Sequence, residues 1–152
     1  MIEEIPRPEA RRAICMAMLD GLPEWFGPEP VYRPYCDAAE TMSGYAWRAD
    51  GRTLGYLALS RETDEAMEIH LLAISRDAHG RGIGRAFISF ARDQARAAGA
   101  AYLTLKTLGP SSPDEAYIRT RAFYRAQGFA ALAEFPAFWA PDQPMLLMAA
   151  PL

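Results

Sequence analysis

Hydrophobic and polar positions change period several times along the chain, and each change marks an element. Residues 7–20, RPEARRAICMAMLD, repeat apolar positions at helical spacing, with Ala10, Ile14, Ala17 and Met18 on one face and Arg11 and Arg12 outside it. Gly21 and Pro23 end that helix. The stretch LPEWFGPEPVYRPY that follows is rich in proline and aromatics, and reads as a loop and then a short helix around residues 30–40. Thr41 to Arg48 is a predicted strand with an irregularity at Gly44. Asp50-Gly51 favours positive φ, so Ala49 to Arg52 is a hairpin turn and Thr53 to Ser60 the returning strand. After a polar turn at Glu62 to Glu65, Met67 to Ser75 is a third strand.

The second half alternates strand and helix. A polar connector and three glycines, Gly80, Gly82 and Gly84, lead into a helical pattern over residues 82–98, closed by Gly99. Residues 101–107 form a strand on Tyr102, Leu103 and Leu105, and residues 109–113 a loop. Residues 114–127 are helical with Gly128 as the stop. A strand over residues 129–135, an aromatic-bearing excursion over 136–144 and a last strand over 145–150 complete the pattern. There is no repeat, low-complexity tract or linker. The class expected is α+β: one domain over residues 1–152, with a mixed central sheet and helices on both faces.

Composition narrows the function. No apolar run approaches the ~18 residues of a membrane span, and MIEEIPRPEARR lacks the apolar core of a signal peptide, so the expected location is the cytoplasm, away from any membrane. Two cysteines, Cys15 and Cys36, make neither a disulfide framework nor a zinc set and read as buried thiols. With only His70 and His79 a multi-histidine metal site is excluded, and no metal is expected. Charge is uneven: residues 1–75 carry 7 basic and 13 acidic side chains, residues 76–125 carry 9 and 4. The net-positive segment holds the glycine turn and suits a polyphosphate. The whole chain is net −3 and its basic residues fit no nucleic-acid motif, so nucleic acid is not the expected partner.

A strand, a glycine-rich turn and a helix N-terminus in that order make an anion site, because glycines let backbone N–H groups approach a ligand and the helix end adds unpaired donors. A P-loop needs Gly-Lys-Ser/Thr, but Gly84 is followed by Arg85 and Ala86. A dinucleotide fingerprint needs G-x-G-x-x-G, and here the glycines run G-x-G-x-G. The acyl-coenzyme A turn, Gln/Arg-x-x-Gly-x-Gly/Ala, fits His79, Gly80, Arg81, Gly82, Ile83 and Gly84, with His79 in the Gln/Arg place.

Three segments, Glu68 to Ile74, Arg81 to Gly84 and Ala122 to Phe129 (AFYRAQGF), together resemble the GNAT superfamily of N-acetyltransferases over roughly residues 42–135. The resemblance implies transfer of an acetyl group from acetyl-CoA to an amine of a small molecule or protein. It also implies an antiparallel N-terminal sheet and parallel strands splayed where pantetheine enters. The turn from His79 to Arg85 is then the cofactor site, and backbone N–H groups of Leu72, Ala73 and Ile74 polarise the thioester carbonyl. Tyr124 takes the place of the family tyrosine that protonates the departing thiolate. Glu68, sixteen residues before Gly84, matches the base glutamate of histone-type members, with His70 as a second candidate. The segment from Ser111 to Tyr124 resembles a bacterial subgroup with an unassigned acceptor, which points to Tyr117 and Arg121. Trp25, Phe26 and Trp139 are candidate walls of an acceptor pocket. Two alternatives stand beside this reading: an acyl-CoA-binding sensor without turnover, and a homodimeric interaction module that pairs through its C-terminal strand and takes no cofactor.

Overall fold

A computed structural model describes all 152 residues. Five α-helices and seven strands follow in the order β1 (Ile2–Glu4), α1 (Pro8–Asp20), α2 (Pro23–Phe26), α3 (Glu29–Ala39), β2 (Ser43–Ala49), β3 (Arg52–Arg61), β4 (Ala66–Ile74), α4 (Ile83–Ala97), β5 (Tyr102–Leu108), α5 (Glu115–Ala126), β6 (Ala130–Ala140) and β7 (Gln143–Pro151). The class is α+β with one mixed sheet, hydrogen-bonded in the order β1-β2-β3-β4-β5-β7-β6. By compactness the chain divides into two units, residues 1–60 with 69–91, and residues 61–68 with 92–152.

In the first unit, β1, β2 and β3 are antiparallel, and the expected hairpin at Asp50 (φ 51°) and Gly51 (φ 72°) joins β2 to β3. Alternation sends side chains to opposite faces. Ala46, Tyr56 and Ala58 join a core with Cys15 and Leu19 of α1 and Tyr32 and Cys36 of α3. On β2, Tyr45 meets Phe90 edge-on at 4.7 Å and Trp47 meets Phe87 at 6.3 Å, so α4 covers the other face. Arg11 ties the helices' ends together: its guanidinium donates to the carbonyls of Ile5 (2.7 Å), Pro6 (2.8 Å) and Glu40 (2.9 Å).

In the second unit β7 runs antiparallel between β5 and β6. Leu103, Leu105, Met148 and Ala150 are buried, whereas β6 leaves Leu132, Phe135, Phe138 and Trp139 exposed. Asp114 caps α5 by accepting from the Ala116 amide, and Gly128 follows its end with φ 91°.

Four sequence expectations change. The excursion over 136–144 is instead the continuation of β6 to Ala140, a turn at residues 141–142 and the start of β7. Pro136 misled because proline usually breaks strands, yet an edge strand tolerates it. What remains of the excursion is a register break between Phe135 and Ala140, with Ala137 at φ 54°. In β2 the register shifts between Trp47 and Arg48, not at Gly44. The short β1 and the four-residue α2 carry too few residues for any period to register.

Gly44 has a steric role. A Cβ there would lie 2.2 Å from the Tyr56 hydroxyl, which is buried without a hydrogen-bond partner. Tyr56→Phe should therefore be neutral or slightly stabilising, since an orphaned hydroxyl is removed. Gly44→Ala should cost about 1–3 kcal/mol, as overpacking does, and adding Tyr56→Phe should recover part of it. Urea unfolding of the two single variants and the double variant checks this; strictly additive costs would show that the hydroxyl is not the obstacle.

Candidate active site

The glycine turn lies in the first unit. β4 ends at Ile74, a single 3₁₀ turn spans Arg76–Ala78, and α4 begins at Ile83. Gly80 (φ 74°) and Gly82 (φ 81°) adopt the left-handed conformation that side chains disfavour, and a Cβ on either would meet nothing within 4 Å. Ile83 is buried and anchors the turn, while Arg81, Gly82 and Arg85 are exposed. No acidic residue sits in the first turn of α4. The result is an open helix N-terminus with two flanking arginines, a favourable place for negative charge.

The connector is held from outside. Arg52 donates to Asp77 at 2.9 Å, and that bond holds the Asp77 carboxyl below the usual range; Arg76 pairs with Glu24. His79 turns back to the strand. A carbonyl can only accept, so its Nε2–H donates to the Ile74 oxygen at 2.8 Å, and its ring meets Trp25 edge-on at 5.5 Å. His79 thus shapes the turn through its Nε2. Of the backbone-donor candidates, Ala73 is buried and Leu72 and Ile74 are half-buried; Ser75 N–H bonds to Leu54 O at 2.9 Å.

His70 is also engaged. Its Nε2–H donates to the Tyr35 carbonyl at 3.2 Å, and the two rings lie 5.6 Å apart. Tyr35 gave no sequence signal, because its backbone rather than its side chain makes the bond. Trp25 and Phe26 lie on α2 and pack, half-buried, against the core of this unit. A cavity of about 550 Å³ opens between α1 and the connector, lined by Ile14, Ala17, Met18, Leu22, Ser75 and Arg76, and none of the sequence candidates lines it.

The second unit holds the remaining candidates. Glu68 is 7 % exposed and paired with Lys106 of β5. Sequence reasoning missed Lys106, although a single lysine in TLKTL, an otherwise uncharged strand, was a usable signal. Tyr124 is buried on α5 between Phe123 (5.4 Å) and Phe129 (5.8 Å), and desolvation pushes its phenol up. A raised phenol stays protonated across the neutral range and remains a donor. Arg121 donates to Leu108 O at 2.8 Å, tying α5 to the end of β5; Tyr117 is half-buried on the same helix. Trp139 stands on β6 against Phe138, with the ring centroids 5.3 Å apart.

A family model described as "Acetyltransferase (GNAT) family" matches residues 11–129. No curated protein matches the chain. Among solved structures, an IAA acetyltransferase from Bacillus cereus ATCC 14579 is 22% identical over 100% of this chain and 99% of its own, with a TM-score of 0.76. An aminoglycoside 6'-N-acetyltransferase from Enterococcus faecium is 15% identical over 99% and 96%, with a TM-score of 0.75. A GNAT family acetyltransferase from Elizabethkingia anophelis with acetyl-CoA bound is 17% identical over 100% and 97%, with a TM-score of 0.72. At these identities the likeness to solved structures is one of fold.

The Glu68–Lys106 pair generates a stability prediction. Lys106→Met should cost roughly 2–3 kcal/mol, below the ~3–5 kcal/mol of a fully buried pair, because Lys106 keeps a third of its side chain in solvent. Adding Glu68→Gln should recover most of the loss, since the stranded charge is then gone. Chemical denaturation of both variants measures it; a double variant no better than Lys106→Met would mean that the lysine acts through packing.

Proposed function

The chain belongs to the GNAT family of acetyltransferases, and from that premise we propose that it moves an acetyl group from acetyl-CoA to an amine of a small molecule or protein. The observation that carries this reading is the open turn at Gly80 and Gly82, with Arg81 and Arg85 beside the N-terminus of α4. Backbone N–H groups of residues 80–85 hold the pyrophosphate in this reading, and His79 keeps the turn in shape through Ile74. Backbone N–H groups of Leu72, Ala73 and Ile74 polarise the thioester carbonyl, which raises the rate because the charge they meet develops only in the transition state.

Proton transfer falls to Tyr124 and Glu68. Tyr124 keeps its proton at neutral pH, so it can give it to the departing thiolate. Glu68 takes a proton from the amine, directly or through water, with Lys106 fixing its carboxylate; His70 is the second candidate base. Trp25 and Phe26 of the first unit, and Tyr117, Arg121 and Trp139 of the second, are the acceptor candidates of this reading. One acetyltransferase domain over residues 1–152 carries the activity. The cytoplasm, where acetyl-CoA is made and used, is its place of action. A homodimer is part of this reading, because the edge strand β6 exposes four large apolar side chains and carries a single charge, Glu134, so a second copy meets almost no opposing charge.

One observation favours the sensor reading instead: Lys106 already occupies the Glu68 carboxylate, so an incoming amine meets an engaged partner. Titration with acetyl-CoA followed by thiol release on an amine panel separates the readings. Binding with turnover supports the enzyme, binding without turnover the sensor, and no binding removes both.

Two substitutions sharpen the assignment. Gly82→Asp places bulk and negative charge at the helix N-terminus and should abolish acetyl-CoA binding in calorimetry while the fold is kept; unchanged affinity in the folded variant would remove the cofactor site. Tyr124→Phe keeps the ring and removes the donor, so turnover should fall ~10²–10⁴-fold, the usual worth of general acid help, with cofactor affinity retained. Full turnover in that variant, with chemistry rate-limiting, would leave the thiolate to take its proton from water.

A further inference from the structure

The proposed acyl transfer uses neither cysteine, yet the fold brings the two together. Cys15 of α1 and Cys36 of α3 are both fully buried, and their sulfurs lie 2.7 Å apart. That separation is nearer to the ~2.05 Å of a disulfide than to the ~3.5–4.0 Å at which non-bonded heavy atoms normally settle. Both cysteines are reduced in this structure. The two helices are already fixed around the pair: Arg12 donates to Asp37 at 2.8 Å, and Arg11 donates to the Glu40 carbonyl at 2.9 Å. Little backbone movement therefore separates the dithiol from a bond.

The two sulfurs differ chemically. The hydrogen bond shared with Cys15 draws the Cys36 thiol down, and the Arg12 guanidinium adds to that pull against the cost of burial. Cys15 is pushed up by the same bond and by burial. Cys36 is the sulfur with thiolate character, which is what a nucleophile needs.

We propose that Cys15 and Cys36 are a redox modification site, which peroxide converts into an intramolecular disulfide that staples α1 to α3. The Cys36 thiolate attacks one oxygen of hydrogen peroxide and the O–O bond breaks, leaving a sulfenic acid and a hydroxide that takes up the thiol proton. The Cys15 sulfur then attacks the sulfenic sulfur, the S–O bond breaks, and the leaving hydroxide takes the Cys15 proton. Two thiols and one peroxide give one disulfide and two waters; each sulfur loses one electron and the peroxide gains two. Complete burial restricts the reaction to an oxidant as small as peroxide.

The bridge would close the segment from residue 15 to residue 36, which carries α2 with Trp25 and Phe26, and also Tyr35, whose carbonyl holds His70. Closing a loop of that length restricts the unfolded chain and so stabilises the folded one. The bond stands on the core geometry alone, whether or not the chain turns over acetyl-CoA.

The test is peroxide treatment of the wild-type chain, then alkylation in denaturant without reductant and intact mass spectrometry. Because the chain has only two cysteines, loss of two hydrogen masses from a monomer with no alkyl adduct identifies the bridge. The thermal midpoint should rise by roughly 5–10 °C and return after reduction, as expected for a loop of this size in a domain of this length. Two alkyl adducts after treatment, gain of oxygen instead of loss of hydrogen, or disulfide-linked dimers would overturn the site. Loss of hydrogen with an unmoved midpoint would overturn the staple.

Discussion

Helix α4 can lie on β3 because residue 55 has no side chain. A Cβ on Gly55 would sit 2.7 Å from the Phe87 ring and 3.3 Å from the Ala73 carbonyl. Phe87 and Ile83 are buried on this side of the sheet, so α4 is pressed down at its first turn, the turn that also ends the glycine connector. Close packing leaves no slack to absorb a shift. The placement of the glycine turn thus follows from an absent methyl group on a neighbouring strand. The open space around Gly80 and Gly82 is the counterpart: the helix is fixed from below and its N-terminus is left uncovered above.

A second theme is how polar side chains are used. Arg11, Arg61, Arg121 and His79 spend donors on backbone carbonyls at or near the ends of elements, and His70 on that of Tyr35 inside α3. Such bonds satisfy carbonyls that strands and helices leave unpaired, and they fix loop geometry without burying a net charge in isolation. The histidines that looked chemical in the sequence are therefore structural with one nitrogen, and each keeps the other as an acceptor. Glu68 follows a different rule. It is buried as a charge and has a charged partner, the arrangement that makes an ionised carboxylate tolerable inside a protein.

Much of this was legible in the chain itself. The helical period of α4, the hairpin at Asp50-Gly51 and the glycine spacing all depend on local residues, and local residues set them correctly. The position of Tyr124 near the end of α5 was legible for the same reason. What was lost depends on partners distant in sequence. Lys106 matters because β5 brings it to Glu68, 38 positions earlier in the chain. Tyr35 matters through a carbonyl, which no side-chain pattern encodes. Gly44 read as a strand irregularity, whereas the structure makes it the space beside the Tyr56 hydroxyl. β6 was truncated because exposed apolar residues and Pro136 look like a loop to any rule that expects strands to be half-buried.

The strand order of the second unit has a consequence for how the chain is made. β7 is synthesised after both β5 and β6, yet it lies between them. Until residues 143–151 leave the ribosome, β6 has no neighbour and β5 lacks one of its own. A nascent chain halted there presents unpaired edges and greasy surface, the features that recruit chaperones or seed aggregates. This unit is therefore assembled out of chain order: β5 and β6 share a sheet only once β7 arrives between them as their keystone.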